Sequence, residues 1–176
     1  MKTAVRVNYT RIFFLIIPLT LSAFTHIWNP VGFPAIYDDE DTYLKRAVLL
    51  LNGQGPKDPD YPYDHPYFGQ VFLAGVFALI GYTDSLDSTK VGSYANVEHS
   101  IESLYLFPRI LMGILAVVDT FLVYKISERR YSRNVAFIAS ILFAVMPMTW
   151  FLRRIVLDSI QQPLLLSSIL FAVYYN

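Results

Sequence analysis

Residues 104–133, LYLFPRILMGILAVVDTFLVYKISERRYSR, decide the fold. From about Leu104 to Ile126 the chain is apolar for longer than the roughly 20 residues a helix needs to cross a hydrocarbon core. Immediately after come Lys125, Arg129, Arg130 and Arg133 against the single acid Glu128. Loops rich in lysine and arginine stay on the cytoplasmic side, so this link marks the inner face.

Working outward, RIFFLIIPLTLSAFTHIW gives a first span from about Ile12 to Trp28, preceded by Lys2, Arg6 and Arg11. NVAFIASILFAVMPMTWFL gives a third, about Asn134 to Leu152, and the tail to Asn176 gives a fourth from about Ser159. The basic N-terminus and the basic link then both lie inside, and two antiparallel crossings connect them correctly. The first span reads as an uncleaved anchor: its apolar run is long, and LSA is a poor cleavage site for a signal peptide. The apolar pattern of the fourth breaks off at AVYYN, so the expectation is a fragment of a longer reading frame, or a split protein completed by a separate chain.

Composition agrees. Apolar residues make up 55% of the chain and aromatics 16%, outside the range of ordinary soluble domains. Cysteine is absent, which removes disulfides and thiolate metal sites from consideration. The net charge of zero hides a segregation: between Asn29 and Glu102 stand eleven acids against Lys45, Arg46, Lys57 and Lys90. This acidic loop, about residues 29–103, is expected outside, as is the short turn from Arg153 to Asp158. The sequence thus predicts an all-α integral membrane protein, a multi-span helical bundle with a helical extracytoplasmic first loop. Its N-terminus is cytoplasmic, and the membrane is a plasma membrane or an endoplasmic reticulum.

The outer loop keeps too many aromatic and aliphatic residues for disorder. In DEDTYLKRAVLLLNGQG, Tyr43, Ala47, Leu50 and Leu51 recur at helical spacing behind a first turn of Asp39, Glu40 and Asp41, with Gly53 as the stop. PKDPDYPYDHPY is a proline-restricted crossing. YFGQVFLAGVFALIGY, from Tyr67 to Tyr82, is short for a span, and a crossing there would put the basic link on the wrong side. It reads as a helix at the interface or against the bundle.

Four consecutive acids exceed what capping requires, since one or two carboxylates already gain about 0.3–1 kcal/mol each from the helix dipole. Neighbouring acids near a low-dielectric surface repel one another, and like-charge neighbours raise carboxylate pKa values, one route to a general base. Asp38 to Asp41 with His65 also offer oxygen and nitrogen ligands to a divalent cation, but no known ligand spacing appears and no cofactor is expected. Phosphate-loop and dinucleotide fingerprints are absent, and the short basic runs suit topology rather than nucleic acid. Asp119, deep in the second span, should face into the bundle toward a polar partner.

These residues resemble a family. Asp39–Glu40, with Tyr43 three residues later, is similar to the Asp-Glu pair that heads the first outer loop of membrane-embedded GT-C glycosyltransferases. These use polyprenyl-phosphate donors and include the protein O-mannosyltransferases and aminoarabinose transferases. DHPYFGQ, at Asp64–Gln70, resembles the mannosyltransferase His-Pro motif at His65, Pro66 and Gly69. It departs at Tyr67 and Gln70, where that branch has proline and often lysine. RRIVLDS resembles the later outer motif, with Arg153 and Asp158 in register, and FPRILMGILAVV resembles the arginine-led second span at Arg109 and Gly113.

The resemblance covers nearly all of the chain and only the N-terminal part of such an enzyme, a truncated GT-C domain. It implies transfer of a sugar, mannose in the nearest branch, from a polyprenyl-phosphate donor to a protein or lipid hydroxyl at the outer face. Asp39 would be the base, with Glu40 orienting it or the loop. Arg153 and Arg154 are the candidates for the donor phosphate, Asp158 holding one of them while the other meets the donor, and His65 would bind the acceptor or relay a proton. A different class also fits the topology: a non-catalytic scaffold or accessory subunit with an outer binding loop. There the four-residue spacing of Arg154 and Asp158 would make an ion pair on one helical face.

Overall fold

The computed structural model describes residues 9–53, 67–81 and 94–175. Six α-helices follow in order: α1 Tyr9–Ile27, α2 Asp38–Leu51, α3 Tyr67–Ile80, α4 Tyr94–Arg130, α5 Arg133–Val145 and α6 Leu157–Tyr175. A 3-10 turn, Pro147–Arg153, separates α5 from α6. Among the described residues there is no strand.

Local chemistry sets most of the boundaries. α4 ends on Arg129 and Arg130, cations that suit the negative end of a helix dipole. Ser132 then caps α5, its hydroxyl accepting from the Val135 N–H. Met146, which precedes a proline, is held extended, and that stops α5. At the end of α2, Gly53 takes φ +70°, a left-handed position that favours glycine. α2 therefore forms where the periodicity places it, and α3 forms in the short apolar run, ending two residues earlier than expected.

α4 is the central post and packs against α1, α5, α6 and the 3-10 turn. α2 and α3 form a hairpin whose apolar faces close on one another and on the first half of α4. This core contains Tyr43, Leu44 and Ala47 of α2, Leu73 and Phe77 of α3, Met112 of α4, and Ile155 and Ile160. α3 thus packs against the bundle, one of the two placements its sequence allowed.

Of the four expected crossings, one, residues 104–130 of α4, is a single helix among the described residues that is long and apolar enough for a membrane. α5 and the 3-10 turn pass the same test only together, with a 65° bend between them, because Pro147 breaks the third run. The apolar part of α1, Ile12–Ile27, is short. α6 carries Asp158, Gln161, Gln162 and Pro163 in its first two turns.

The interior of this bundle is polar in places where its outside is not. Ser22 and Thr120 share a 2.7 Å hydrogen bond between α1 and α4, and Thr25 donates to the Ala144 carbonyl at 2.8 Å. Ser140 and His26 are also buried. Meanwhile Phe13 and Ile16 of α1, Ile138 and Leu142 of α5, and Leu164 and Phe171 of α6 face outward. Asp119 points inward as expected, but no hydrogen-bond partner meets its carboxylate among the described residues.

α1 and α4 approach most closely at Gly113. A Cβ there would stand 2.6 Å from the His26 carbonyl oxygen, a contact that backbone cannot relieve. Gly113→Ala is expected to destabilise the fold by about 1–3 kcal/mol through overpacking. Gly69→Ala, whose Cβ would meet the mobile tip of Leu157 at 3.1 Å, is expected to cost less. Thermal unfolding in one detergent ranks the two; equal midpoints would contradict the close approach.

Candidate functional site

The turn that leaves α1, residues 28–36, is irregular, so its carbonyl oxygens need donors from elsewhere. Two arginines supply them. Arg109 of α4 donates from Nη1 to Pro30 O at 2.8 Å and Pro34 O at 2.7 Å. Arg153, at the end of the 3-10 turn, donates from Nη2 to the carbonyls of Trp28 and Asn29 and lies over the Phe33 ring. Asn29 takes φ +47°, a conformation asparagine tolerates better than most residues.

The rest of the Arg109 guanidinium grips Glu40. Nη2 and Nε reach the two carboxylate oxygens at 2.6 and 2.9 Å, a bidentate fork with both side chains fully buried. Glu40 also accepts from Tyr37 N at 3.1 Å, one half of a capping box at the head of α2. Its other oxygen accepts from Ile155 N at 3.1 Å. A carboxylate has about four lone-pair sites, and all four are taken. Glu40 is therefore spent on holding α2, α4, the 28–36 turn and the 153–156 segment together.

Its neighbours are not. Asp39 is half-buried and has no hydrogen-bond or ion-pair partner among the described residues. Asp41 is exposed and receives only a long 3.5 Å approach from the Tyr105 hydroxyl. Tyr43 lies in the field of both Asp39 and Asp158. Burial pushes its hydroxyl up from the ordinary tyrosine range and the two carboxylates add to this; a backbone hydrogen bond from Leu157 and the Arg46 charge oppose. The acids of two motifs more than a hundred residues apart thus act on one side chain.

The two candidate arginines part company. Arg153 is buried and committed to carbonyls. Arg154 is half-buried and lies over the rings of Tyr37 and Phe151, 4.9 and 5.5 Å from their centroids. Its guanidinium makes no hydrogen bond or ion pair among the described residues, and its Nε is buried without a partner. The Arg154–Asp158 ion pair expected from the spacing is not formed. Arg154 has extended backbone (ψ 152°), so the two residues never share a helical face.

The structure therefore gathers Asp39, Glu40, Arg153, Arg154 and Asp158 around the heads of α2 and α6. His65 lies outside the described residues. No three His, Asp or Glu side chains among the described residues converge as metal ligands do. Sequence reasoning gave Arg109 only as the opening of a span; an arginine inside an apolar run was the signal that it needed a buried partner. Compared with protein-family models, curated proteins and solved structures, the chain matches none.

Removing one member of a buried, hydrogen-bonded ion pair strands the other charge and costs about 3–5 kcal/mol. Arg109→Ala and Glu40→Gln are each expected to lose that much, and Arg109→Lys most of it, since an ammonium cannot make the fork. Urea or thermal unfolding of the purified chain reads the loss. A change under about 1 kcal/mol in Arg109→Ala would mean that the pair is not what closes this end of the bundle.

Proposed function

We propose that this chain is the N-terminal part of a membrane-embedded glycosyltransferase of the GT-C type, using a polyprenyl-phosphate sugar and a hydroxyl acceptor. The observation that carries the reading is the hydrogen bond from Ile155 N to Glu40. It ties the Asp-Glu head of α2 to the Arg-Arg segment before α6, so that Asp39 and Arg154, each next in sequence to an end of that bond, have no hydrogen-bond or ion-pair partner among the described residues. A transfer of this kind needs one base and one cation.

In this reading Asp39 takes the proton of the acceptor hydroxyl. The oxygen forms its bond to the anomeric carbon as the bond to phosphate oxygen breaks, with inversion. Arg154 meets the negative charge that gathers on the departing polyprenyl phosphate, a planar fork on phosphate oxygens. Glu40 and Arg109 position Asp39 without taking part in the proton transfer. The membrane placement is supported by residues 104–130 of α4, by the outward apolar faces of α1, α5 and α6, and by the polar interior. The basic link at residues 125–133 then lies inside and the head of α2 outside.

A scaffold or accessory subunit is the second reading. It is favoured by the saturation of Glu40 and by the use of Arg153 Nη2 on the Trp28 and Asn29 carbonyls.

Two experiments test these proposals. Radiolabelled sugar transfer from polyprenyl phosphate, mannose first, is measured in membranes with the longest natural reading frame containing this segment. Asp39→Asn is expected to lower kcat by at least about 100-fold with donor binding retained. Arg154→Gln is expected to weaken donor binding. Transfer untouched by Asp39→Asn would reduce the acids to a helix cap. Because the chain has no cysteine, single cysteines read topology cleanly. Asn52→Cys is expected to label with an impermeant maleimide in intact cells, and Ser132→Cys only after lysis; the reverse pattern would overturn the orientation.

A further inference from the structure

One buried acid is used by neither the fold nor the proposed transfer. Asp119 stands near the middle of residues 104–130 of α4, the helix long and apolar enough to cross a membrane. It is fully buried, and neither carboxylate oxygen accepts a hydrogen bond among the described residues. The hydroxyls of this interior are engaged elsewhere. Thr120, next in sequence, donates to the Ala116 carbonyl and shares a hydrogen bond with Ser22. Ser140 of α5 donates to the Ala136 and Phe137 carbonyls.

Charge is as remote as hydrogen bonding. From Ile12 to Ile27, α1 offers only His26, whose carbonyl backs onto Gly113, six residues before Asp119. α5 has no ionisable side chain after Arg133, and α6 has none from Ser159 to Val173, with Asp158 and Tyr174 beyond those ends. In the 3-10 turn, Arg153 is occupied by the Trp28 and Asn29 carbonyls. On α4 itself Arg109 lies about 15 Å away along the axis, and Lys125 about 9 Å. Arg109 is forked onto Glu40, which brings the head of α2 to α4, and Lys125 is paired with Glu128. No charged side chain among the described residues acts on Asp119.

An ionised carboxylate there would have neither donors nor a counter-charge, which burial penalises heavily. A hard metal ion would need several oxygen ligands, and no three His, Asp or Glu side chains converge among the described residues. We infer that Asp119 is a proton-binding site inside the membrane. The packed bundle holds its carboxyl neutral, and loss of the proton leaves a charge that only water or an opened helix contact can accommodate. The inference is independent of the transferase reading. It bears on the same end of the bundle all the same, because α4 also carries Arg109, and proton release loosens the post to which the head of α2 is fixed.

The test compares equilibrium unfolding of the full chain with that of Asp119→Asn, which keeps the shape without the charge, in mixed detergent micelles between pH 5 and 8. Other groups titrate alike in both, so the difference isolates Asp119. The neutral form fits the packed bundle and the charged form fits the unfolded chain, so stability is present at low pH and lost as pH rises. The unfolding constant of wild type relative to the variant is expected to grow about tenfold per pH unit, one proton per chain, until the site empties. A flat difference, as an ionised and paired carboxylate would give, would overturn the inference. So would a gain in wild-type stability when sodium replaces choline at fixed ionic strength, the mark of a metal ion. A second readout uses wild type alone, in membranes at pH 6. Dicyclohexylcarbodiimide reacts with buried neutral carboxyl groups: the carboxyl proton passes to a carbodiimide nitrogen and the oxygen adds to the central carbon. The adduct then rearranges to a stable N-acylurea with nothing lost. Peptide mass spectrometry is expected to find it on Asp119, while a water-soluble carbodiimide leaves Asp119 unmodified. Modification by the water-soluble reagent, or by neither, would also overturn the site.

Discussion

The end of the bundle that holds the site depends on one buried fork, Arg109 to Glu40. Four pieces of chain meet there: the head of α2, the first half of α4, the turn after α1 and the segment before α6. Only two of these pieces are regular at the point of contact. The other two bring bare carbonyls and a bare N–H, groups that burial would penalise without partners. A guanidinium with five donors and a carboxylate with four acceptor sites satisfy both sets at once. A lysine or an aspartate at these positions would leave part of the set unmatched.

That saturation has a chemical consequence. A side chain with every lone pair engaged holds geometry but moves no proton. The same end of the bundle therefore separates its charged residues into two populations. Glu40, Arg109 and Arg153 are buried and hydrogen-bonded; Asp39, Arg154 and Asp158 border the same place and have no hydrogen-bond or ion-pair partner among the described residues. Cation–π contact with Tyr37 and Phe151 orients Arg154 without consuming its donors. The transfer proposed for this chain would use this division, because fixed charges aimed at a ligand act most strongly when nothing must be rearranged first.

Further along the bundle the logic is inverted relative to a protein in water. Hydroxyls from α1, α4 and α5 bond inward, and large apolar side chains face out. Small residues allow this: Gly113 brings α4 against the α1 backbone, and Ala116, Ala136 and Ala144 are fully buried. Close helix packing through small residues with a few interhelical hydrogen bonds is how helices associate where the solvent is itself apolar.

Helix identity was written in the sequence, because periodicity, caps and breakers act within a few residues. α2 lies where its apolar spacing put it and α3 in its short apolar run, and Ser132, Pro147 and Gly53 mark the boundaries. Straightness was not: VMPM sits inside an apolar run, and hydropathy does not register the bend that Pro147 imposes. The two motifs at Asp39–Glu40 and Arg153–Asp158 were also visible as residues, and only the tertiary structure divided their labour. Glu40 finds Arg109 at a separation of 69 residues, and Arg153 finds carbonyls 124 residues away. Arg154, next in sequence and identical in chemistry, finds none among the described residues. Neighbouring residues of one type part in this way because hydrogen-bond partners are fixed by the packing of distant segments. No local pattern carries that information.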